Sequence, residues 1–105
     1  MTTRVELCEL ASLDEAVPVP VTVGGVDVVV VRCGSEIYCL ENVCSHEHFP
    51  LSDGEVDPLT CEIECARHGA IFDLATGEPR SLPATHPVRT FSVSVHDGHV
   101  TVEVP

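Results

Sequence analysis

Two short clusters in this chain carry the residue types that bind metal. Cys44-Ser45-His46 is the first and Cys65-Ala66-Arg67-His68 the second, so the pattern is C-x-H, eighteen residues, then C-x2-H. Each cluster offers one thiolate and one imidazole. Two of each can complete one tetrahedral zinc or the outer coordination of a 2Fe–2S pair. In structural zinc sites of the finger type the two cysteines come together and the two histidines follow together. Here each loop supplies one of each. That suits a two-iron centre in which both cysteines hold one iron and both histidines the other.

The rest of the chain must position those loops. It has 105 residues, the length of one domain near the small end of the range. Lys and Arg total 5 against 17 Asp and Glu, a formal charge of −12. A polyanion repels phosphate backbones and anionic lipid, so neither nucleic acid nor a membrane surface is an expected partner. Apolar runs reach only about five residues, far short of the ~20 that span a bilayer. No basic-then-apolar leader opens the sequence, so the expected location is the cytoplasm.

Short strands dominate the local pattern, and the expected fold class is all-β. Arg4 to Leu7 reads as a first strand, and Ser12-Leu13-Asp14-Glu15 has the capping-box pattern of a following helical turn. Val17 to Val23 reads as extended, with prolines that suit an edge. Gly24-Gly25 turns the chain into Val26 to Arg32 as a hairpin, and Gly34-Ser35 turns it again into Glu36 to Leu40. Near the end, Phe91, Val93 and Val95 share one face, Asp97-Gly98 turns, and Val100, Val102 and Val104 repeat the period of two. No helical period is sustained. Between Asn42 and about Pro83 the strands shorten and the loops carry Cys, His, Gly and Pro. The expected organisation is one domain over 1–105, with an antiparallel β-sandwich or barrel base (about 1–41 and 84–105) and an inserted cluster-binding part (about 42–83). Irregular backbone of that length needs something to hold it, and a metal centre would do so.

With these residues in place the chain resembles a Rieske iron–sulfur protein, and in particular the small soluble ferredoxins of multicomponent ring-hydroxylating oxygenases. The resemblance is carried by Cys44-Ser45-His46-Glu47-His48-Phe49-Pro50-Leu51-Ser52-Asp53-Gly54, by Cys65-Ala66-Arg67-His68-Gly69 with Phe72-Asp73 and Thr76-Gly77, by the proline loop Pro79 to Pro83, and by Pro87-Val88 to Phe91-Ser92-Val93. It implies that Cys44 and Cys65 bind the inner iron and His46 and His68 the outer iron of one Rieske 2Fe–2S cluster. It also implies that Gly69 lets the backbone approach a bridging sulfide. The implied function is a one-electron carrier, itself not an enzyme, between a flavin-dependent ferredoxin reductase and a terminal Rieske oxygenase. A monomer is expected, because the cluster tip must stay exposed.

The resemblance also places the chain away from the respiratory branch. That branch has an extra cysteine in each loop, forming a disulfide; the matching positions here are Phe49 and Arg67. Its serine and tyrosine hydroxyls on cluster sulfur match Ala70 and Phe72, which carry none. Fewer hydrogen bonds to sulfur imply a low potential within the family range of roughly −150 to +300 mV. Three other functions fit the same residues: the same carrier serving another pathway such as iron–sulfur assembly, a structural zinc-binding interaction module, or a small subunit of a larger reductase. His48, His86, His96 and His99 are expected on the surface or at turns. Cys8, Cys33, Cys39 and Cys61 are expected to pack as small hydrophobes, with a Cys33–Cys39 disulfide across the Gly34-Ser35 turn as an option.

Overall fold

The structure is a computed structural model that describes residues 3–44, 49–67, 69–82 and 86–104. Among the described residues ten strands form three antiparallel sheets stacked as layers. One outer sheet joins β1 (Thr3–Glu9), β10 (His99–Val104) and β9 (Val93–His96), with β10 in the centre. The middle sheet runs in the order β2 (Val19–Val23), β3 (Val26–Cys33), β4 (Glu36–Glu41) and β8 (Thr90–Phe91). The third sheet contains the three-residue strands β5 (Glu55–Asp57), β6 (Glu62–Glu64) and β7 (Ile71–Asp73). The all-β class holds: the described residues contain only two short 3₁₀ turns, Leu10–Ser12 and Leu51–Asp53.

The middle sheet explains the unbroken valine run of β3. A strand covered on both faces has no reason to alternate with polar residues. Val28 and Val30 face the first outer sheet, in a core with Cys39, Val100, Val102 and Val104. Val29, Val31 and Cys33 face the other way, in a core with Leu40, Cys44, Ile63, Cys65 and Phe72. The β2–β3 turn has positive φ at both Gly24 (+55°) and Gly25 (+81°), the pair of values that a tight two-residue hairpin demands. β2 is an edge strand, which tolerates Pro20.

Three local expectations are corrected. The helical turn lies before Ser12, not after it: Leu10–Ser12 is the 3₁₀ turn, and the Ser12 hydroxyl donates back to the Glu9 carbonyl at 2.6 Å. Glu15 closes no capping box. Its carboxylate instead accepts the Gly34 amide at 3.0 and 3.1 Å, holding the β3–β4 turn. The Phe91–Val95 stretch is not one strand. It is cut at Ser92, so Phe91 pairs with Cys39 in the middle sheet while Val93 and Val95 pair with Val102 and Val100 in the outer one. Val95 shares the face of Val100 but sits on an edge strand and stays exposed.

The cysteines bring the largest correction. Cys33 is bonded to Cys61, with a Cα–Cα separation of 5.9 Å. The pairing with Cys39 fails because β3 and β4 place the two side chains on opposite faces of the sheet: Cys33 lies in one core and Cys39 in the other. Cys61 begins the run into β6, so the disulfide ties the middle sheet to the third sheet. Cys8 and Cys39 are free thiols in the opposite core, as small hydrophobes. Burial, with the nearby Cys8 adding to it, pushes the Cys39 thiol up to about 12.

Candidate metal centre

Loop one leaves β4 through Asn42. Its amide donates to the Asp27 carbonyl at 2.8 Å, and its side chain makes two bonds to Ser52, from Nδ2 to Oγ and from the Ser52 amide to Oδ1, both at 2.9 Å. This double bond pair fixes the start of the loop to the 3₁₀ turn that ends it. The Cys44 amide then donates to the Phe49 carbonyl at 2.8 Å and closes the loop.

Loop two joins β6 to β7 and is closed in the same way, by the Cys65 amide on the Ala70 carbonyl at 2.7 Å. A second bond, from the Gly69 amide to the Cys65 carbonyl at 3.0 Å, tightens it. Gly69 has φ +72°, a left-handed conformation that side chains with a Cβ rarely adopt. Its implied tolerance of a close backbone approach therefore has a conformational reason of its own. Ser81, in the proline loop, accepts the Ile71 amide at 3.0 Å and lies 3.4 Å from the Gly69 carbonyl. It ties that loop to loop two. Asn42 and Ser81 are positioning residues that the motif reading passed over, because their partners lie ten or more residues away.

Cys44 and Cys65 are each 1% exposed, are not joined in a disulfide and line the same core. The structure therefore brings the two expected sulfur ligands to one core at the ends of two similar loops. His46 and His68 lie outside the described residues, as do Ser45, Glu47, His48 and Pro83. Among the described residues no three His, Cys, Asp or Glu side chains converge on a metal position. The donor set that is visible still fits an iron–sulfur group: two thiols, shielded from solvent, neither spent on a disulfide. Ala70 and Phe72 are fully buried beside them in that core and offer no hydroxyl.

Phe49 and Arg67, which the resemblance matches to the disulfide positions of the respiratory branch, are in contact by other means. The Arg67 guanidinium lies over the Phe49 ring, 5.9 Å from its centroid. Below loop two, Asp73 anchors the turn into the proline loop. Its carboxylate accepts the Ala75 and Thr76 amides at 2.8 and 3.3 Å and pairs with Arg80. Partial burial pushes the Asp73 carboxyl up, but the Arg80 guanidinium and the two amides outweigh this and hold it below the usual range.

Comparison with known proteins gives one consistent result. The Rieske [2Fe-2S] domain matches residues 3–92. The anthranilate 1,2-dioxygenase ferredoxin subunit of Burkholderia cepacia is 35% identical over 97% of this chain and 95% of its own length. The ferredoxin of carbazole 1,9a-dioxygenase from Nocardioides aromaticivorans IC177 superposes with a TM-score of 0.92 at 38% identity, covering 95% of this chain and 96% of that one. The ferredoxin in a complex of reduced oxygenase and oxidized ferredoxin of carbazole 1,9a-dioxygenase superposes at 0.88, with 34% identity over 94% and 91% of the two chains. With paired loops, two shielded thiols and this agreement along nearly its whole length, the chain belongs to the Rieske [2Fe-2S] domain family.

Proposed function

We propose that this protein is the ferredoxin of a ring-hydroxylating oxygenase system, carrying one electron at a time from a flavin-dependent ferredoxin reductase to a terminal oxygenase. The observation that supports it most is the pair of similarly closed loops, which present Cys44 and Cys65 from one core in a chain that shares 38% identity with a carbazole dioxygenase ferredoxin. Cys44, His46, Cys65 and His68 would hold the cluster, and a bound 2Fe–2S cluster takes up and releases a single electron. With these four side chains all committed to holding the cluster, the chemistry it would supply is one-electron transfer and not catalysis on a substrate. The proposed organisation is one domain, with a base of about 1–41 and 84–105 and a cluster-binding part of about 42–83.

The oxygenase as partner is supported by the relative solved in complex with one; the reductase is proposed from the family's chemistry. The formal charge of −12 favours partners with basic faces, and a monomer keeps the tip accessible. Among the described residues no helix is long and apolar enough to cross a membrane. We propose the cytoplasm as the location; disulfides are rare there, and the Cys33–Cys61 bond would persist only through its burial, with Cys33 buried and Cys61 partly so.

The test is visible absorption and EPR of anaerobically purified protein before and after dithionite, followed by turnover with a reductase–oxygenase pair at rising salt. A red-brown protein that gains a Rieske-type signal on reduction, and whose transfer slows as salt screens the partners, is expected. A colourless zinc protein would overturn the electron-transfer reading.

A further inference from the structure

Each cluster loop is closed on itself by backbone bonds, Cys44 to Phe49 and Cys65 to Ala70. Internal closure sets the shape of a loop. It does not set the position of one loop against the other. A group held jointly by residues of both loops needs that second relation as well.

The β5–β6 ladder joins the bases of the loops and a shared core lies beneath them; near their tips, a cation–ring contact crosses from loop to loop. The Arg67 guanidinium lies over the Phe49 ring at 5.9 Å from the centroid, within the distance at which the ring's negative face attracts a cation. The two residues are unequal in burial. Phe49 is partly buried and packs against the core that contains Cys44, Cys65 and Phe72, so its ring is anchored. Arg67 is exposed, and it lies between Cys65 and His68 in the sequence. Phe49 is also the residue whose carbonyl closes loop one on Cys44. The guanidinium therefore grips loop one at its closing residue.

We infer that Arg67 and Phe49 form a non-covalent clasp that fixes loop two to loop one and slows loss of the cluster. The inference rests on the cluster-binding role of the two loops. It makes both side chains positioning residues, with no part in binding iron themselves. The planar guanidinium matters as well as the charge, because it can lie flat against a ring where an ammonium cannot.

The test is a double-mutant cycle in the intact protein with Arg67→Gln, Phe49→Leu and the pair combined. The rate of cluster loss is read as bleaching of the visible bands under a chelator, and thermal unfolding is recorded in parallel. An exposed cation–π contact of about 0.5–1 kcal/mol corresponds to a coupling of about two- to five-fold in rate. Each single variant should bleach faster, and the double variant by less than the product of the two. Phe49→Tyr, which keeps the ring, should stay near wild type, and Arg67→Lys should restore only part of the effect. Independent effects in the cycle, or a Phe49→Tyr rate equal to that of Phe49→Leu, would overturn the clasp. Should Phe49→Leu fail to fold, the exposed Arg67 still decides through Gln against Lys. If the wild type carries no iron, the reading of the site fails separately, and the same cycle in thermal unfolding still tests the contact.

Discussion

Cys44 and Cys65 are held by one device used twice: each amide donates to the carbonyl five residues further on, Phe49 at 2.8 Å and Ala70 at 2.7 Å. The two loops differ in their glycine. Loop two passes through Gly69 at φ +72°, and among the described residues a Cβ built there would meet nothing closer than Glu64 Oε2 at 3.5 Å. A substitution at Gly69 is thus strained in its backbone even where no described atom collides with it. Gly69→Ala should cost about 1–2 kcal/mol, seen as a lower unfolding temperature and a lower iron content per chain. An iron content equal to wild type would mean that the loop adopts another backbone at no cost.

The Cys33–Cys61 bridge closes a segment with a sequence separation of 28. Chain-entropy reasoning gives such a link about 2–4 kcal/mol of stability. Cys33→Ser with Cys61→Ser should lower the unfolding free energy by that order. The loss should appear first in β6 (Glu62–Glu64), which follows Cys61 and leads directly into the proposed ligand Cys65. Hydrogen exchange resolved by strand would show it. Intact-mass measurement of alkylated, non-reduced protein should find four free cysteines before any cluster is bound, the set Cys8, Cys39, Cys44 and Cys65.

The resemblance matches Ala70 and Phe72 to the hydroxyl positions of the respiratory branch, and both are fully buried in the core that contains Cys44 and Cys65. Ala70→Ser with Phe72→Tyr should raise the midpoint potential, on the order of 100 mV within a family span of roughly −150 to +300 mV. Hydroxyl donors withdraw electron density from cluster sulfur and favour the reduced state. A double variant with an intact cluster and an unmoved potential would remove the hydrogen-bond explanation for a low value.

Asp73 gives a pH dependence whose sign is fixed by its partners. The Arg80 pair and the Ala75 and Thr76 amides outweigh burial and lower its folded pKa. A carboxylate with a lowered folded pKa stabilises the fold above its unfolded value and loses that contribution as pH falls through the folded one. Asp73→Asn should therefore flatten the acid limb of the stability curve below about pH 4, measured by thermal unfolding across pH. An acid limb unchanged by the substitution would assign it to other carboxylates.

Local chemistry was legible in the sequence where it depends on neighbours in the chain. The β2–β3 hairpin follows from Gly24-Gly25, and the burial of Val100, Val102 and Val104 follows from their period of two. What was not legible depends on contacts far along the chain. Cys33 could not be paired with Cys61 before the faces of β3 were known, and Ser12 ended a turn instead of starting one because its hydroxyl found the Glu9 carbonyl. The cut at Ser92 is a tertiary event: two sheets compete for one stretch whose alternation suits both. Of the proposed site, the spacing singled out Cys44 and Cys65, which the structure places in one core, whereas the bracing by Asn42, Ser81 and Arg67 was not legible.

The valine run of β3 supplies both interiors at once, with odd and even positions serving different layers. A slip of one residue in its pairing with β4 would exchange the two linings, sending Cys33 toward Val100 and Val30 toward Phe72. The base and the iron-binding layer therefore cannot acquire their registers independently. Setting the alignment of one strand settles the interior of both, and an error in it would spoil both together.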